Sequence, residues 1–439
     1  MISRILSNIF KIPDLRERVV FSLFILAVYR LGIYVTTPGV DKNIMADIMA
    51  TKGSTTILGL FNMFSGGALE QLSIFALGIM PYISSSIIFS LLAVVIPQIG
   101  EMQKDGDQGQ KKITQYTRYG TVLLCVFQGL MMAKFLESLT GRAGEVVVQD
   151  PGWFFRITTV ITLTTGTMFL MWLGEQISER GIGNGISLLI FASIVARFPS
   201  MFAQLVQYLN EEMIKPFHLV IFLLVLVLAF TVIVFVESSR RKIPIQYARR
   251  TSGGRSLQNS YLPLKINTSG VIPPIFASAL LVFPATIGGF MNAEWMGTLQ
   301  AMLNPGGWLY ELLYIFLIIF FAFFYTFVQF KTEDVAENLN KNGGYIPGIR
   351  PGKETVDYIN KVLTKITFGG AIYLSAICMI PDLLRLKMGL PFYMGGTSIL
   401  IVVGVAMDTA SQIESYLISN NYEGFSIGGK GSLVKSRSR

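Results

Sequence analysis

The chain has 439 residues, 52% of them hydrophobic and only 14% charged, and its 36 Lys and Arg outnumber 27 Asp and Glu. That balance excludes a soluble enzyme or a disordered chain and marks a multi-spanning membrane protein. One histidine, His218, and two distant cysteines, Cys125 and Cys378, are too few for a zinc site, a Cys/His nucleophile pair or a disulfide framework.

The first stretch, MISRILSNIFKIPDLRERVV, is basic and amphipathic and carries no small-residue cleavage site. It reads as an attached segment on the membrane surface, not as a cleaved signal. Apolar runs then give ten expected spans, at about 19–35, 73–96, 119–139, 154–174, 184–204, 217–237, 268–290, 309–330, 366–385 and 396–416. Sorted by side, 26 basic residues fall on the two tails and the even-numbered loops, and the other ten fall in odd-numbered loops or within spans, Arg30 and Lys134 among the latter. The positive-inside rule therefore places both termini and the even loops in the cytoplasm.

Between the first two spans lies Ile57 to Leu69, uncharged but too short to cross a bilayer, with Gly66 and Gly67 breaking its helical tendency. Span two then carries GIMPYISSS and span seven GVIPPIFAS, so that Gly78, Pro81 and Ile83 match Gly270, Pro273 and Ile275. Spans five apart run in opposite directions, which is the pattern of an inverted repeat of five plus five helices. Pro81, Pro273 and Pro274 are expected to remove backbone hydrogen bonds and bend these two helices. The stretch GEQISERGIGNGIS is glycine-rich but lacks the Gly-Lys-Ser/Thr ending of a nucleotide loop.

Two cytoplasmic loops are long. Loop six, about 238–267, alternates around Ile243 to Tyr247 and turns at Gly253 and Gly254, predicting a β-hairpin. Loop eight, about 331–365, holds a short helix, TEDVAENLNK, and a turn-rich tip, GGYIPGIRPG, that presents Arg350. Together they carry thirteen basic residues, a density that fits docking of ribosomal RNA or an acidic protein surface. A single loop of that kind would also serve topology and anionic lipid.

A solute transporter is the main rival, but coupled transporters need ionisable groups near the bilayer centre, and Arg30, Lys134, Glu175, Glu237 and Asp408 cluster near span ends. For an intramembrane enzyme, neither a Ser/His site nor an aspartyl dyad can be assembled.

FNMFSGGAL with FALGIMPYISSSII, QKKITQYTRYG, GEQISERGIGNGISLLIF, LPLKINTSGVIPPIFAS, GYIPGIRPG and PFYMGGTSILIVVGVAMD together resemble the SecY/Sec61-alpha family of protein-conducting channels, from the first span to the last. The resemblance implies an all-α clamshell around an hourglass pore, with an N-terminal half (1–204), a C-terminal half (205–416) and a basic cytoplasmic tail (417–439). It implies a plug at about 57–72, including Phe61, Asn62, Met63, Phe64, Ser65, Gly66 and Gly67. It implies a pore ring of Ile79, Ile83, Ile186, Ile190, Ile275 and Ile401, and a gate between spans two and seven holding Ser84, Gln128 and Asn267. It further implies partner docking through Arg249, Arg250, Arg255 and Arg350, although Gly254 stands where relatives often carry a further arginine. The implied setting is a bacterial plasma membrane, with SecE and SecG subunits, the SecA motor ATPase, the ribosome, and signal sequences and unfolded preproteins as partners. It implies no cofactor.

Overall fold

The computed structural model describes residues 12–52, 62, 64–139, 145–211, 216–247, 260–288, 307–388 and 395–432. Their backbone is predominantly helical, as a bilayer requires of segments whose amides cannot reach water. The first half contains α1 (Pro13–Gly32), α2 (Lys42–Lys52), α3 (Met80–Val95), α4 (Pro97–Lys104), α5 (Asp107–Ser138), α6 (Trp153–Arg180), α7 (Gly185–Val195) and α8 (Phe198–Asn210). The second contains α9 (Pro216–Ser238), β1 (Arg240–Tyr247), β2 (Ser260–Lys265), α10 (Ile272–Gly288), α11 (Trp308–Gln329), α12 (Thr332–Lys341), β3 (Gly344–Tyr345), α13 (Lys353–Met388) and α14 (Gly396–Ser432). Among the described residues seven helical stretches are long and apolar enough to cross a membrane, and α3 and α10 supply two shorter apolar helices. The remaining expected span, α1, begins six residues earlier than its apolar run because the charged turn around Asp14 and Arg18 continues the same helix.

The prolines of spans two and seven act differently from the expectation. Helix α3 starts only at Met80, with Pro81 in its first turn, and α10 starts at Ile272, with Pro273 and Pro274 in its first turn. First-turn amides have no intrahelical acceptor, so proline there removes no bond and bends nothing. These prolines start the helices. Residues 73–79 are turns that wedge between neighbours, with Phe75 stacked on Tyr29 at 5.9 Å and on Phe169 at 6.2 Å. The amide of Ile74 donates to the Val35 carbonyl at 3.0 Å. A side chain at Gly166 of α6 would strike the Ile74 carbonyl, so that glycine permits the close approach.

Span five is two helices, because the chain turns at Arg197 before Pro199 opens α8. Helix α14 continues to Ser432, well past the expected end of span ten. The expected hairpin is present: β1 runs antiparallel to β2, from Arg240 opposite Lys265 to Ile245 opposite Ser260. The sheet has a third strand that the sequence did not announce. β3, from loop eight, pairs with the far end of β1, Gln246 opposite Tyr345 and Tyr247 opposite Gly344. Loops six and eight therefore lie on one side of the molecule and share a small core of Ile243, Leu264, Ile346 and Ile359. The short helix expected in loop eight is α12.

Candidate functional site: the buried interior

The stretch Ser65 to Leu72 precedes α3 as a series of tight turns buried in the main core. Gly66 and Gly67 have φ of 67° and 90°, which an L side chain adopts only with strain, so these two residues shape the turns. Phe64, Ala68, Leu69 and Leu72 are fully or nearly fully buried. The polar groups of this stretch are paired. Asn62 and Glu70 close a small loop reciprocally, Asn62 Nδ2 donating to Glu70 Oε2 at 3.2 Å and the Glu70 amide to Asn62 Oδ1 at 3.1 Å. The Tyr29 hydroxyl reaches the Ser65 carbonyl at 3.2 Å, and Arg30 Nη1 donates to the Gly66 carbonyl at 3.1 Å. Phe61, Met63 and residues 57–60 lie outside the described residues.

Of the six isoleucines nominated for the ring, Ile79, Ile83, Ile190, Ile275 and Ile401 are buried and Ile186 is partly buried against them, all within the core that also takes in Phe64, Ala68, Leu69 and Leu72. Ile79 sits just before α3 instead of inside it, but the Ile83 amide donates to its carbonyl at 3.1 Å, so the two remain one turn apart. Ile186 opens α7, where Asn184 caps the helix by accepting from the Ile186 and Ser187 amides, and it packs over Gly174 of α6. The branched aliphatic side chains come from four helices, α3, α7, α10 and α14.

Helix α3 packs against α10, the pair expected to form the gate. No hydrogen bond among the described residues joins Ser84, Gln128 and Asn267. Asn267 is 3% exposed and donates to Glu237 Oε1 at 2.6 Å and to the Gly270 carbonyl at 3.0 Å, fixing the entry of α10 against the end of α9. Its Oδ1 accepts from Ser269 at 3.1 Å. Ser84 is partly buried, while its neighbour Ser85 donates to the Thr117 carbonyl at 2.8 Å and ties α3 to α5. Gln128 Oε1 is buried with no hydrogen-bond partner.

Arg350 is exposed at the loop-eight tip, its backbone held by the Thr355 hydroxyl donating to its carbonyl at 3.0 Å. Arg249, Arg250 and Arg255 fall outside the described residues. Arg240, Arg241 and Lys242 of β1 are exposed on the same sheet and extend the basic surface, a feature the sequence reading had not singled out. Strand alternation would have found Arg240 and Lys242, which lie on the face opposite Ile243 and Ile245; Arg241 is exposed although it shares the face of those two isoleucines.

Most of the ionisable residues named for the spans are held by a partner. Arg30 holds the Gly66 carbonyl, and Arg118 grips Glu175 with two hydrogen bonds of 3.0 and 2.7 Å. Asp408 lies 3.7 Å from Lys265, and Lys134 is exposed. Residues passed over in the sequence include Glu137 and Arg156, paired at 2.7 Å, and Glu311, 8% exposed in the first turn of α11. The signal for Glu311 was available: it is an acid inside an otherwise apolar run, WLYELLYIF. No group of three or more metal-ligating side chains occurs among the described residues.

Comparison with known proteins agrees with this architecture. The family model for SecY matches residues 73–410. The protein translocase subunit SecY of Escherichia coli K12 is 48% identical over 419 residues, covering 93% of each chain. That of Rickettsia felis is 48% identical over 415 residues, covering 94% of this chain and 95% of the relative. Among solved structures, a protein-conducting channel superposes with a TM-score of 0.66 at 17% identity, covering 91% of this chain and 92% of that one. Sec61 in a canine ribosome–channel complex superposes with a TM-score of 0.62 at the same identity and coverage. Those channels have ten transmembrane helices, the number expected from the apolar runs. Family model, relatives across nearly the full chain and the channel fold agree, and the chain belongs to the SecY family.

Proposed function

We propose that this chain is the pore-forming subunit of a protein translocase, conducting unfolded secretory proteins across a bacterial plasma membrane and releasing transmembrane segments sideways between α3 and α10. The observation that carries the reading is the interior: isoleucines from four helices and a buried, turn-built segment occupy one core inside a helical membrane protein. A constriction of branched aliphatic side chains dewets when empty and offers no fixed polar contact to a passing chain, so it seals against ions while admitting many sequences. The segment 57–72 acts as the plug and Ile79, Ile83, Ile186, Ile190, Ile275 and Ile401 as the ring. Ser84, Gln128 and Asn267 line the gate, Asn267 acting by fixing where α10 begins. This reading agrees with a solved relative whose plug domain is described as stabilising the closed state and maintaining a membrane seal.

The chain offers no nucleotide loop, so energy comes from partners. The shared basic sheet and Arg350 suit a motor ATPase of the SecA kind and ribosomal RNA, and Arg249, Arg250 and Arg255 of loop six are further contacts for the same partners. SecE and SecG complete the complex, and both termini face the cytoplasm.

The test is site-specific crosslinking of a precursor stalled by a tightly folded tail. Single cysteines replace Ile83, Ile190, Ile275 and Ile401 in a chain with Cys125 and Cys378 removed. The control is Phe316 of α11, 62% exposed on the outer surface. Crosslinks at the four interior positions and none at Phe316 are expected. The reading is overturned by a folded, inserted channel that crosslinks at none of the four.

A further inference from the structure

The plug stretch is held by two hydroxyl groups that make three close contacts with only two hydrogens between them. Tyr29 Oη lies 3.2 Å from the Ser65 carbonyl and 2.6 Å from Ser193 Oγ, and Ser193 Oγ is also 2.8 Å from the Leu189 carbonyl. Two hydroxyl groups carry two protons. Oxygens 2.6 Å apart must have one of those protons between them. Two arrangements remain. In the first, Ser193 donates to Tyr29 and Tyr29 donates to Ser65. In the second, Tyr29 donates to Ser193 and Ser193 donates to Leu189, which leaves the Ser65 carbonyl without that bond. Each arrangement uses both protons, so moving between them strands no buried donor on α1 or α7. A buried donor left unused would otherwise resist release.

The surrounding contacts seat the stretch on the same two elements. Gly66 lies so close to Ser193 that an added Cβ would stand 3.0 Å from its Cα and 3.2 Å from Tyr29 Oη, at a φ of +67°. Arg30, next to Tyr29 on α1, holds the Gly66 carbonyl. Arg197, one turn beyond Ser193, lies 3.8 Å from Glu70. Among the described residues, every hydrogen bond and ion pair that Asn62, Ser65, Gly66 and Glu70 make outside the stretch goes to α1 or to the α7 end, within the N-terminal half.

We propose that Tyr29 and Ser193 form a hydroxyl switch that latches the plug to the N-terminal half, engaged when Tyr29 donates to Ser65 and released when it donates to Ser193. The inference rests on the plug assignment above. The latch is independent of the α3–α10 seam, so the seam parts without pulling the plug, and the plug leaves by loosening from α1 and α7.

The test is resting ion current through the full channel complex in planar bilayers, with membrane insertion of each variant verified. Tyr29→Phe removes the bond to Ser65, and resting current is expected to rise roughly 3- to 10-fold, as for loss of one neutral hydrogen bond. Ser193→Ala removes the competing acceptor and leaves Tyr29 only Ser65, so current is expected at or below the parent level. Simple loss of packing would raise current in both variants and overturns the switch. Arg197→Glu should raise current, and adding Glu70→Arg should restore it. Deleting residues 57–67 separates the two readings. A leaky deletion with Tyr29→Phe as tight as the parent overturns the latch and leaves the plug standing, whereas a deletion that does not leak overturns the plug assignment itself.

Discussion

Gly78 and Gly270 hold the same left-handed backbone, with φ of 60° and 63°, and each stands two residues before the start of its helix, α3 or α10. The repeat Gly-x-x-Pro-x-Ile is therefore a matched pair of helix entries, with Gly making the turn and Pro opening the first turn. A Cβ at Gly78 would meet only ordinary contact with Ser65, and at Gly270 nothing lies within 4 Å. The requirement at both sites is backbone conformation, not space.

Gly78→Ala and Gly270→Ala are each expected to cost about 1–2 kcal/mol, the penalty of a left-handed residue carrying a side chain. Asn should cost less than Ala, because it tolerates that region better. Thermal unfolding of the purified complex measures this directly. Unchanged stability in both Ala variants would show that the paired turns are not under constraint.

The bond from Asn267 to Glu237 sets the root of α10. Asn267→Leu leaves a half-buried carboxylate without its partner and is expected to cost about 1.5–3 kcal/mol, relaxing the dependence of export on an intact signal sequence. Glu237→Gln keeps an acceptor for the Asn267 amide and should be milder. Export of one precursor bearing an intact or a defective signal is the measurement. Undiminished discrimination in Asn267→Leu removes this residue from the gate.

Arg350 is exposed at the loop-eight tip, whereas Ile346 is buried beneath it. Arg350→Glu is expected to impair motor-driven export while leaving insertion of the channel intact. Ile346→Ala, in the small core shared by β1, β2 and α13, should cost about 2–4 kcal/mol locally and weaken partner binding through loops six and eight together. Binding of the ATPase and of ribosomes to channel-bearing membranes distinguishes them. Normal ATP-dependent export with Arg350→Glu contradicts the docking role, and loss of binding at only one loop in Ile346→Ala contradicts a common frame.

The amino-acid sequence by itself determined the membrane class, the ten apolar runs, the inverted repeat, the hairpin in loop six and the helix in loop eight. Each depends on local composition, periodicity or charge, and these survive without knowledge of neighbours. It misjudged the prolines of α3 and α10, because a proline's effect depends on whether it falls before or within a helix, and the turns at 73–79 are set by packing against Tyr29, Phe169 and Gly166. Only the tertiary structure decided that β3 joins the hairpin, that Asn267 pairs with Glu237 and not with Ser84 or Gln128, and that Tyr29 and Ser193, 164 residues apart, meet beside Ser65. A hydrogen bond acts over about 3 Å and is blind to sequence separation, so such pairings exist only once the helices that carry them are packed.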